Sequence, residues 1–292
     1  MDCKKLHTES EEEYIYRVCH NKGDKTWEEI GEILNGELNY EYTSSKYRKS
    51  YQSYCRLAEA LSKGVGVVGE RPILVFGDTH LPFHKKGYLE FLKQTHAKYN
   101  CREDIVICVG DMLDLHGISF HTPDPNAPTA IDEFDLAKEE VAKIAEAFPN
   151  LVWLLGNHDN RIVRKVKEFQ ISQRFIKTFH ELLNLPSTWK IQDELIFEDV
   201  VYRHQGQSGG KNGHLLSAQY NGMSVVCGHL HSNGGVSYFT NPQFKSIFGM
   251  NTGSLCDDSS LAMNYSFNSK SKSTLGCGLV YNSSHAQFVP YQ

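Results

Sequence analysis

The chain has 292 residues, of which 40 % are hydrophobic, and its formal net charge is −5. This hydrophobic content is ordinary for a globular protein with a sizeable core. The net acidity argues against a uniformly basic nucleic-acid coat protein but leaves room for a local basic patch. No apolar run approaches the length of a membrane span, and no charged-then-apolar leader opens the sequence, so we predict a cytoplasmic protein with no membrane partner.

The eight cysteines point to neither a zinc ribbon nor a disulfide framework. None of them forms a C-x-x-C pair, and disulfide scaffolds are typical of short secreted chains. Cys108 and Cys227 fall inside predicted buried strands. We interpret both as reduced thiols that pack in the core.

Residues 1–63 have a helical pattern and are predicted to form a small domain of three short helices. The first covers Glu9–His20. Thr26 and Glu29 form a capping box that begins the second, and Asn35-Gly36 ends it. The third begins near Ser44 or Ser45 and carries Lys46, Arg48 and Lys49.

This arrangement predicts a helix-turn-helix module that contacts DNA or RNA. A plain three-helix packing or dimerisation unit is the alternative. The third helix is rich in tyrosine and could serve as an interface, and the sequence leaves the oligomeric state open.

A glycine-rich linker is predicted at residues 64–70, followed by a second domain at 71–292. In this domain strands alternate with helices at about 86–99, 132–147 and 161–184, which predicts an α/β layered domain. Residues after 231 are interpreted as β structure that closes the sheet, with a last strand at Gly278–Tyr281 pairing with Ala286–Pro290. The proline-rich loop at 121–128 either shapes a substrate cleft or is a surface loop.

Several predicted buried strands end with polar residues, in most cases directly after a glycine. The clearest example is Leu151-Val-Trp-Leu-Leu, which is followed by Gly156 and Asn-His-Asp. A single strand predicted at 195–203 is followed by one more candidate, His204. His214, on a glycine-rich loop, is the competing candidate. The polar residues delivered in this way are Asp78, His80, Asp111, Asp114, Asn157, His158, Asp159, His204, His229 and His231.

Residue spacing indicates how these side chains converge. On extended backbone Asp78 and His80 point to one spot, as do the two histidines of the 228–231 stretch, and Asp111 and Asp114 share a face if the chain turns helical there. Oxygen and imidazole ligands without thiolate suit Mn²⁺, Fe²⁺, Ni²⁺ or Zn²⁺. Seven candidate ligands are enough for two ions, and two ions ~3.5–4 Å apart are the usual arrangement for attack on phosphorus.

The ordered motifs resemble those of the calcineurin-like metallophosphoesterase superfamily, which are D-x-H, G-D-x-x-D, G-N-H-[DE], a single H and G-H-x-H. Here they stand at residues 78–80, 110–114, 156–159, 204 and 228–231, and the resemblance covers about residues 71–285. It implies an α/β fold, namely a four-layer α/β/β/α sandwich, preceded here by the small helical domain. The implied cofactors are two divalent ions, with Mn first and Fe, Ni, Zn or Mg as alternatives.

The resemblance also implies roles for individual residues. One metal would be held by Asp78, His80, Asp111 and His231. The second would be held by Asp111 as a bridge, with Asn157, His204 and His229. His158 would stabilise the transition state or protonate the leaving oxygen, and Asp114 and Asp159 would orient its neighbours.

Two further residues are candidates for substrate contact. Arg161 could reach a phosphate, or it is a surface arginine of the following helix. His116 lies close in sequence to a proposed ligand and is either a group on the substrate side or a packing residue.

The central motif ends in Asp rather than Glu, and no Arg-Gly follows Asp114. Both features look more like the phosphodiesterase and repair-nuclease branches than the phosphoprotein phosphatases, and the compact organisation suggests an enzyme of phage type. We therefore expect a phosphodiesterase that acts on nucleic acid by metal-activated hydroxide attack. The alternatives are a phosphatase or diesterase for small nucleotides or phosphoproteins, and a non-catalytic DNA-binding protein that retains the fold.

Overall fold

The computed structural model describes residues 4–5, 11–49, 51, 71–119, 126–240, 246–260 and 272–292. The chain separates into two compact units, Met1–Glu70 and Arg71–Gln292. The predicted linker at 64–70 and residues 121–125 of the proline-rich loop lie outside the described residues.

The first unit is helical. It contains α1 (Glu11–His20), α2 (Trp27–Leu38) and a helical segment at 44–49. The predicted capping box of α2 is confirmed, because the Thr26 hydroxyl accepts the Glu29 N–H at 3.3 Å and the Glu29 carboxylate accepts the Thr26 N–H at 2.6 Å. The apolar faces of the helices meet in one core made of Tyr14, Val18, Cys19, Ile30, Leu34 and Tyr47.

Helix α2 continues beyond the end predicted at Asn35-Gly36. The helix ends instead at Leu38, where Asn39 adopts the left-handed conformation with φ of 55° and caps the last turn. The predicted end was wrong because a glycine inside a helix weakens it without ending it.

Among the residues that the structure describes, the second unit contains eleven strands. They are β1 (Ile73–Phe76), β2 (Val106–Cys108), β3 (Leu151–Leu154), β4 (Lys190–Gln192), β5 (Glu194–Phe197), β6 (Val200–Arg203), β7 (Ser224–Cys227), β8 (Gly235–Thr240), β9 (Ser246–Asn251), β10 (Gly276–Asn282) and β11 (His285–Pro290). The first sheet has the order β11-β10-β1-β2-β3-β4 and the second has the order β5-β6-β7-β9-β8. Strands β1 to β4 are parallel, and so are β6, β7 and β9. The last hairpin, β10–β11, confirms the predicted pairing.

Helices cover both outer faces of the two sheets. They are α3 (Tyr88–Lys98), α4 (Ala130–Ala147), α5 (Arg161–Glu168), α6 (Phe179–Leu183) and α7 (Gly213–Asn221). Alternate residues of β1, such as Val75, pack between the sheets against Val226 and Phe248, whereas Phe76 shares the other core with Val141 of α4. Ala218 of α7 packs on the outer face of the second sheet. The predicted α/β/β/α layering is therefore confirmed.

The prediction of one helix at 161–184 is wrong, because this segment is divided into α5, a short 3₁₀ turn at Gln173–Phe175 and α6. Gln170 has a left-handed backbone with φ of 53° just after α5. Thr178 starts α6 with its own capping box to Glu181. A continuous apolar periodicity concealed this break.

The prediction of a single strand at 195–203 is also wrong, because these residues belong to the hairpin β5–β6. Its turn residues Glu198 and Asp199 both have positive φ, 50° and 59°, as a two-residue type I′ turn requires. Neither residue is the glycine or asparagine that normally marks such a turn.

Cys108 and Cys227 are buried in β2 and β7, as predicted. None of the helices that the structure describes combines the length and hydrophobicity needed to cross a membrane.

Candidate metal centre

The polar strand ends of both sheets meet at one edge of the sandwich. The backbone N–H of His229, which follows β7 in the second sheet, donates to both carboxylate oxygens of Asp78 at 3.0 Å. Asp78 follows β1 in the first sheet. Since parallel strands end on the same edge, residues far apart in the chain are brought together here.

The backbone at four of these residues is left-handed. The φ angles are 52° at Asp78, 49° at His80, 50° at Asp111 and 67° at His229. Non-glycine residues rarely adopt this conformation, and such outliers concentrate at functional sites. The expectation that pairs two residues apart converge through extended backbone is therefore wrong, although the side chains do converge.

One group of ligand atoms contains Asp78, His80 and His231, whose side-chain donor atoms lie within 4.8 Å of one another. His231 Nε2 is 3.1 Å from Asp78 Oδ1 and also 3.1 Å from His80 Nε2. Asp111 Oδ2 lies 3.8 Å from His80 Nε2. The four residues that the sequence assigned to one metal are thus neighbours in the structure.

A second group contains Asp111, His204 and His229, also within 4.8 Å. His204 Nε2 is 3.1 Å from Asp111 Oδ2 and 3.0 Å from Asn157 Oδ1. The other ring nitrogen of His204 donates to the carbonyl of Val109 at 2.9 Å, which directs Nε2 into the group. Asp111 therefore lies beside both groups, as a bridging ligand would.

These spacings fit a divalent ion. Two ligand atoms that bind one ion at about 2.1 Å and are 90° apart lie about 3.0 Å from each other. The separations of 3.0 to 3.1 Å between His204, Asn157, Asp111, Asp78 and His231 match that value. The donors are carboxylate, amide and imidazole, with no thiolate among them, as Mn²⁺, Fe²⁺ or Zn²⁺ would accept.

Glycines make room for this packing. A Cβ atom at Gly156 would overlap the Asp111 carboxylate, and one at Gly228 would overlap that of Asp78. At Gly110, φ is 101° and a Cβ would meet the His204 ring at 2.8 Å. The glycine at each strand end is therefore needed for close approach of the ligand that follows or faces it.

The electrostatics of the groups also call for a cation. Burial alone would raise the pKa of Asp111, but the neighbouring imidazole of His204 holds that pKa well below its usual range. Burial opposes a charged His204, yet the Asp111 carboxylate raises the pKa of His204 to about 9. Burial lowers the pKa of His80 and of His229, which keeps these two imidazoles neutral and available as ligands. In the absence of a metal, the proton on His204 therefore balances the negative charge of the buried Asp111 carboxylate, a charge that a bound cation would otherwise balance.

A third group joins His80, Asp114 and His158, but its bonding is that of a hydrogen-bond network. Asp114 Oδ1 accepts from His158 Nδ1 at 2.8 Å and from Arg161 Nη1 at 3.0 Å. Arg161 Nη2 lies 3.2 Å from His158 Nε2. An arginine cation so close to Asp114 takes the place that an ion would need, so we assign no metal to this group.

Comparison with known proteins agrees with this geometry. Residues 71–251, more than half of the chain, match the family model of the calcineurin-like phosphoesterases. The chain belongs to the calcineurin-like phosphoesterase family. Residues 1–65 match the model of the YonJ N-terminal domain. No curated protein matches the chain. The family and the paired Asp/His groups together support a metal-dependent phosphoesterase.

In this calcineurin-like phosphoesterase, Asp159 is hydrogen-bonded to the loops after β2 and β3. Its carboxylate accepts the backbone N–H groups of Leu113 at 2.9 Å and Gly156 at 2.8 Å, and the indole N–H of Trp153 at 3.2 Å. Burial and the nearby Asp111 charge raise the pKa of Asp159 to about 7. The residue ties the loops after β2 and β3 together and has a positioning role.

The structure places three other sequence candidates, Asp114, His116 and His214, outside the two proposed metal groups. Asp114 is not on a shared helical face with Asp111, because residues 111–115 are not helical. The ring of His116 lies nearly perpendicular to that of Phe83, and its backbone N–H donates to Glu133 at 2.6 Å. His116 joins none of the three groups found among the described residues. His214 lies in α7 and bonds Ser237 at 3.0 Å, so the strand-end residue His204 is the one placed at the centre.

The loop after β9 also supports the candidate centre, although it was not among the regions predicted from the sequence. Its Ser254 hydroxyl donates to the Asp78 carbonyl at 3.0 Å, and the thiol of Cys256 lies 3.6 Å from His231 Nδ1. This contact turns the Nε2 atom of His231 toward the first group. A signal was present, because Ile247-Phe-Gly-Met-Asn-Thr-Gly repeats the pattern of an apolar strand ending in polar residues and glycine.

Proposed function

We propose that the protein is a phosphodiesterase that hydrolyses nucleic acid with two divalent ions, of which Mn²⁺ is the first candidate. The observation that carries this proposal is the pair of ligand groups with Asp111 beside both. Asp78, His80, Asp111 and His231 would hold one ion, and Asp111, Asn157, His204 and His229 would hold the other. When bound, the ions supply a nucleophile from water at neutral pH and neutralise charge on the phosphate oxygens.

His158 and Arg161 supply the groups that face the substrate in this proposal. An arginine only donates hydrogen bonds, so the 3.2 Å contact from Arg161 makes His158 Nε2 the acceptor and places the ring proton on Nδ1, where Asp114 accepts it. A bound phosphate competes for Arg161 through its charged oxygens. His158 Nε2 then becomes available to hold a proton for the leaving oxygen, while Asp114 fixes the ring.

Two sequence features favour a diester in nucleic acid over a phosphoprotein. The central motif ends in Asp159, and Leu115-His116 rather than Arg-Gly follows Asp114. The first unit adds a helical segment at 44–49 that contains Lys46, a cation suited to a nucleic-acid phosphate. We propose that this unit helps to deliver the substrate.

The test is a substrate panel with metal analysis on the full-length protein. Protein loaded with Mn²⁺ should cleave bis-p-nitrophenyl phosphate faster than p-nitrophenyl phosphate, and EDTA should stop both reactions. Single-stranded DNA, duplex DNA, RNA, cyclic nucleotides and a phosphopeptide complete the panel. Cleavage of monoesters alone would overturn the diesterase assignment. Inertness of fully metallated protein on every substrate would favour a binding protein that retains the fold.

The contribution of the first unit is tested separately. Replacing Lys46, Arg48 and Lys49 by alanine should weaken the cleavage of long nucleic acid but not that of the small diester. Equal activity of this variant and the wild type on long DNA and RNA would assign the first unit a purely structural role.

A further inference from the structure

The segment from Arg161 to His180 concentrates positive charge beside the candidate centre. It contains one carboxylate and six cationic side chains, a net charge of +5 within a chain whose net charge is −5. Such a local excess indicates an anionic partner. The cations are Arg161, Arg164, Lys165, Lys167, Arg174 and Lys177.

This segment starts at the candidate centre itself. Arg161, its first residue, contacts His158 at 3.2 Å and Asp114 at 3.0 Å. Farther along, Lys167, Arg174 and Lys177 are exposed, and none of these three forms an ion pair with a side chain that the structure describes. A polyanion lying on the segment would therefore lead to His158, the residue next to the proposed ligand Asn157.

Exposed aromatic rings lie among these cations. Phe169 is 69 % exposed and Phe175 is 82 % exposed. Both follow the end of α5, where the chain is irregular or forms a short 3₁₀ turn. Large aromatic side chains are seldom so exposed to solvent. Exposed rings beside cations provide stacking platforms for nucleic-acid bases.

A cavity of about 390 Å³ adjoins the segment, within the usual size range of small-molecule sites. Its walls are largely apolar, with a hydroxyl and an imidazole among them. Leu155, which lines the cavity, comes immediately before the central glycine motif in the chain. The lining includes Leu155, Ile162, Ile176, Thr178, Phe179 and His180.

We propose that the exposed residues Lys167, Phe169, Arg174, Phe175 and Lys177 of this segment, here called the basic aromatic face, bind single-stranded nucleic acid. Cations hold phosphates in any nucleic acid, but exposed rings can stack only on bases that are not already paired and stacked in a duplex. The adjoining cavity can receive one flat base. The inference rests on the proposed function, because it names the form of nucleic acid that reaches the proposed centre.

An anionic lipid surface is the competing partner for a basic face with exposed rings. The structure favours nucleic acid over lipid. Helix α5 has only 8 residues, and the exposed rings lie beyond it rather than along one apolar stripe of a longer surface helix.

The first experiment measures binding without catalysis. Full-length protein in EDTA is titrated into a fluorescein-labelled 20-mer of thymidine, and fluorescence anisotropy is followed at several KCl concentrations. Combined replacement of Lys167, Arg174 and Lys177 by alanine should weaken binding at least ~10-fold and lower the salt dependence by about 2 units of slope, because ~0.7 ions are released per phosphate contact on a single strand. Phe169→Ala with Phe175→Ala should weaken binding ~10-fold or more and leave the slope unchanged.

A matched control carries the same change in charge elsewhere. Lys86, Lys93 and Lys98, in and next to α3, are exposed and belong to a different segment of the chain from the basic aromatic face. Replacing these three by alanine should leave the affinity within ~2-fold. Equal losses in the control and test variants, or unchanged affinity in the test variants, would overturn the proposal, as would tighter binding of wild-type protein to a duplex of the same length.

A second experiment uses the wild-type protein only, so it does not depend on how the variants fold. Ultraviolet cross-linking to the same oligonucleotide, tryptic digestion and mass spectrometry should locate adducts in the peptides 168–174 and 175–177. Adducts confined to residues 1–65 would overturn the proposal, and so would binding to vesicles of phosphatidylserine and phosphatidylcholine without binding to the oligonucleotide. Because these readouts need no turnover, a protein that binds the strand but cleaves no diester would refute the proposed function and leave this inference standing.

Discussion

Replacing Asp114 by asparagine removes the negative charge that holds His158 and Arg161 while keeping the shape of the side chain. The carboxylate is 1 % exposed, and its Oδ1 accepts hydrogen bonds of 2.8 Å from His158 and 3.0 Å from Arg161. A hydrogen bond to a charged group contributes about 1.5–3 kcal/mol, and charge assistance accounts for roughly half of it. Two such bonds therefore lose about 1.5–3 kcal/mol together, which corresponds to a fall in kcat of roughly 10- to 150-fold.

The assay is Mn²⁺-dependent hydrolysis of bis-p-nitrophenyl phosphate, with metal content measured on each protein. His158→Ala should lower kcat by ~10²–10⁴-fold if the imidazole acts in the transition state. Since part of the Asp114 effect is argued to act through His158, the loss in the double variant should be smaller than the product of the two single losses. Asp193→Asn makes the same chemical change at an exposed position and should have no effect.

Two results would refute this reasoning. Losses that multiply in the double variant would mean that Asp114 and His158 act independently. Loss of bound metal in Asp114→Asn would mean that the residue supports the ligand groups rather than the proton-transfer group.

Three further predictions concern the centre and its supports. Gly156→Ala should lower metal affinity by ~10–100-fold or more, seen by calorimetry, because its Cβ overlaps the Asp111 carboxylate, whereas Gly36→Ala in α2, where a Cβ meets nothing within 4 Å, should not. Asp159→Asn leaves one of three buried donors facing an NH₂ group, so urea unfolding should show a loss of about 1–3 kcal/mol, and an unchanged midpoint would contradict the assigned role. The pKa of His204, raised to about 9 from 6.5 in the folded protein, gives the metal-free form stability that is complete below pH 6.5 and is lost as the pH rises through 9. Thermal unfolding in EDTA should follow that fall, and His204→Gln should remove its share of it.

The convergence of the polar strand ends could be predicted from the sequence because its signal is local. A buried run such as Leu151–Leu154 followed by glycine and polar residues marks a strand end, and parallel strands bring such ends together. The same reasoning chose His204 over His214, and the structure places His204 beside Asp111 at 3.1 Å.

The local conformations could not be predicted because they depend on contacts between distant segments. Asp78 is held in its left-handed conformation by a backbone hydrogen bond of 2.9 Å to Gly110, 32 positions away. The pairing of Arg161 with Asp114 likewise needs the tertiary fold. The turn at Glu198-Asp199 contains neither glycine nor asparagine, so periodicity alone joined two strands into one.

Ligands from both sheets surround each proposed ion, and this has a mechanical consequence. Asp78 belongs to the first sheet and His231 to the second, and the other proposed ion likewise joins Asn157 to His204. The core between the sheets is made of apolar side chains, which tolerate small sliding movements that ion coordination does not. Bound ions would therefore fasten the two halves of the sandwich to each other, so that removing them should lower the stability of the layered body as well as stop catalysis.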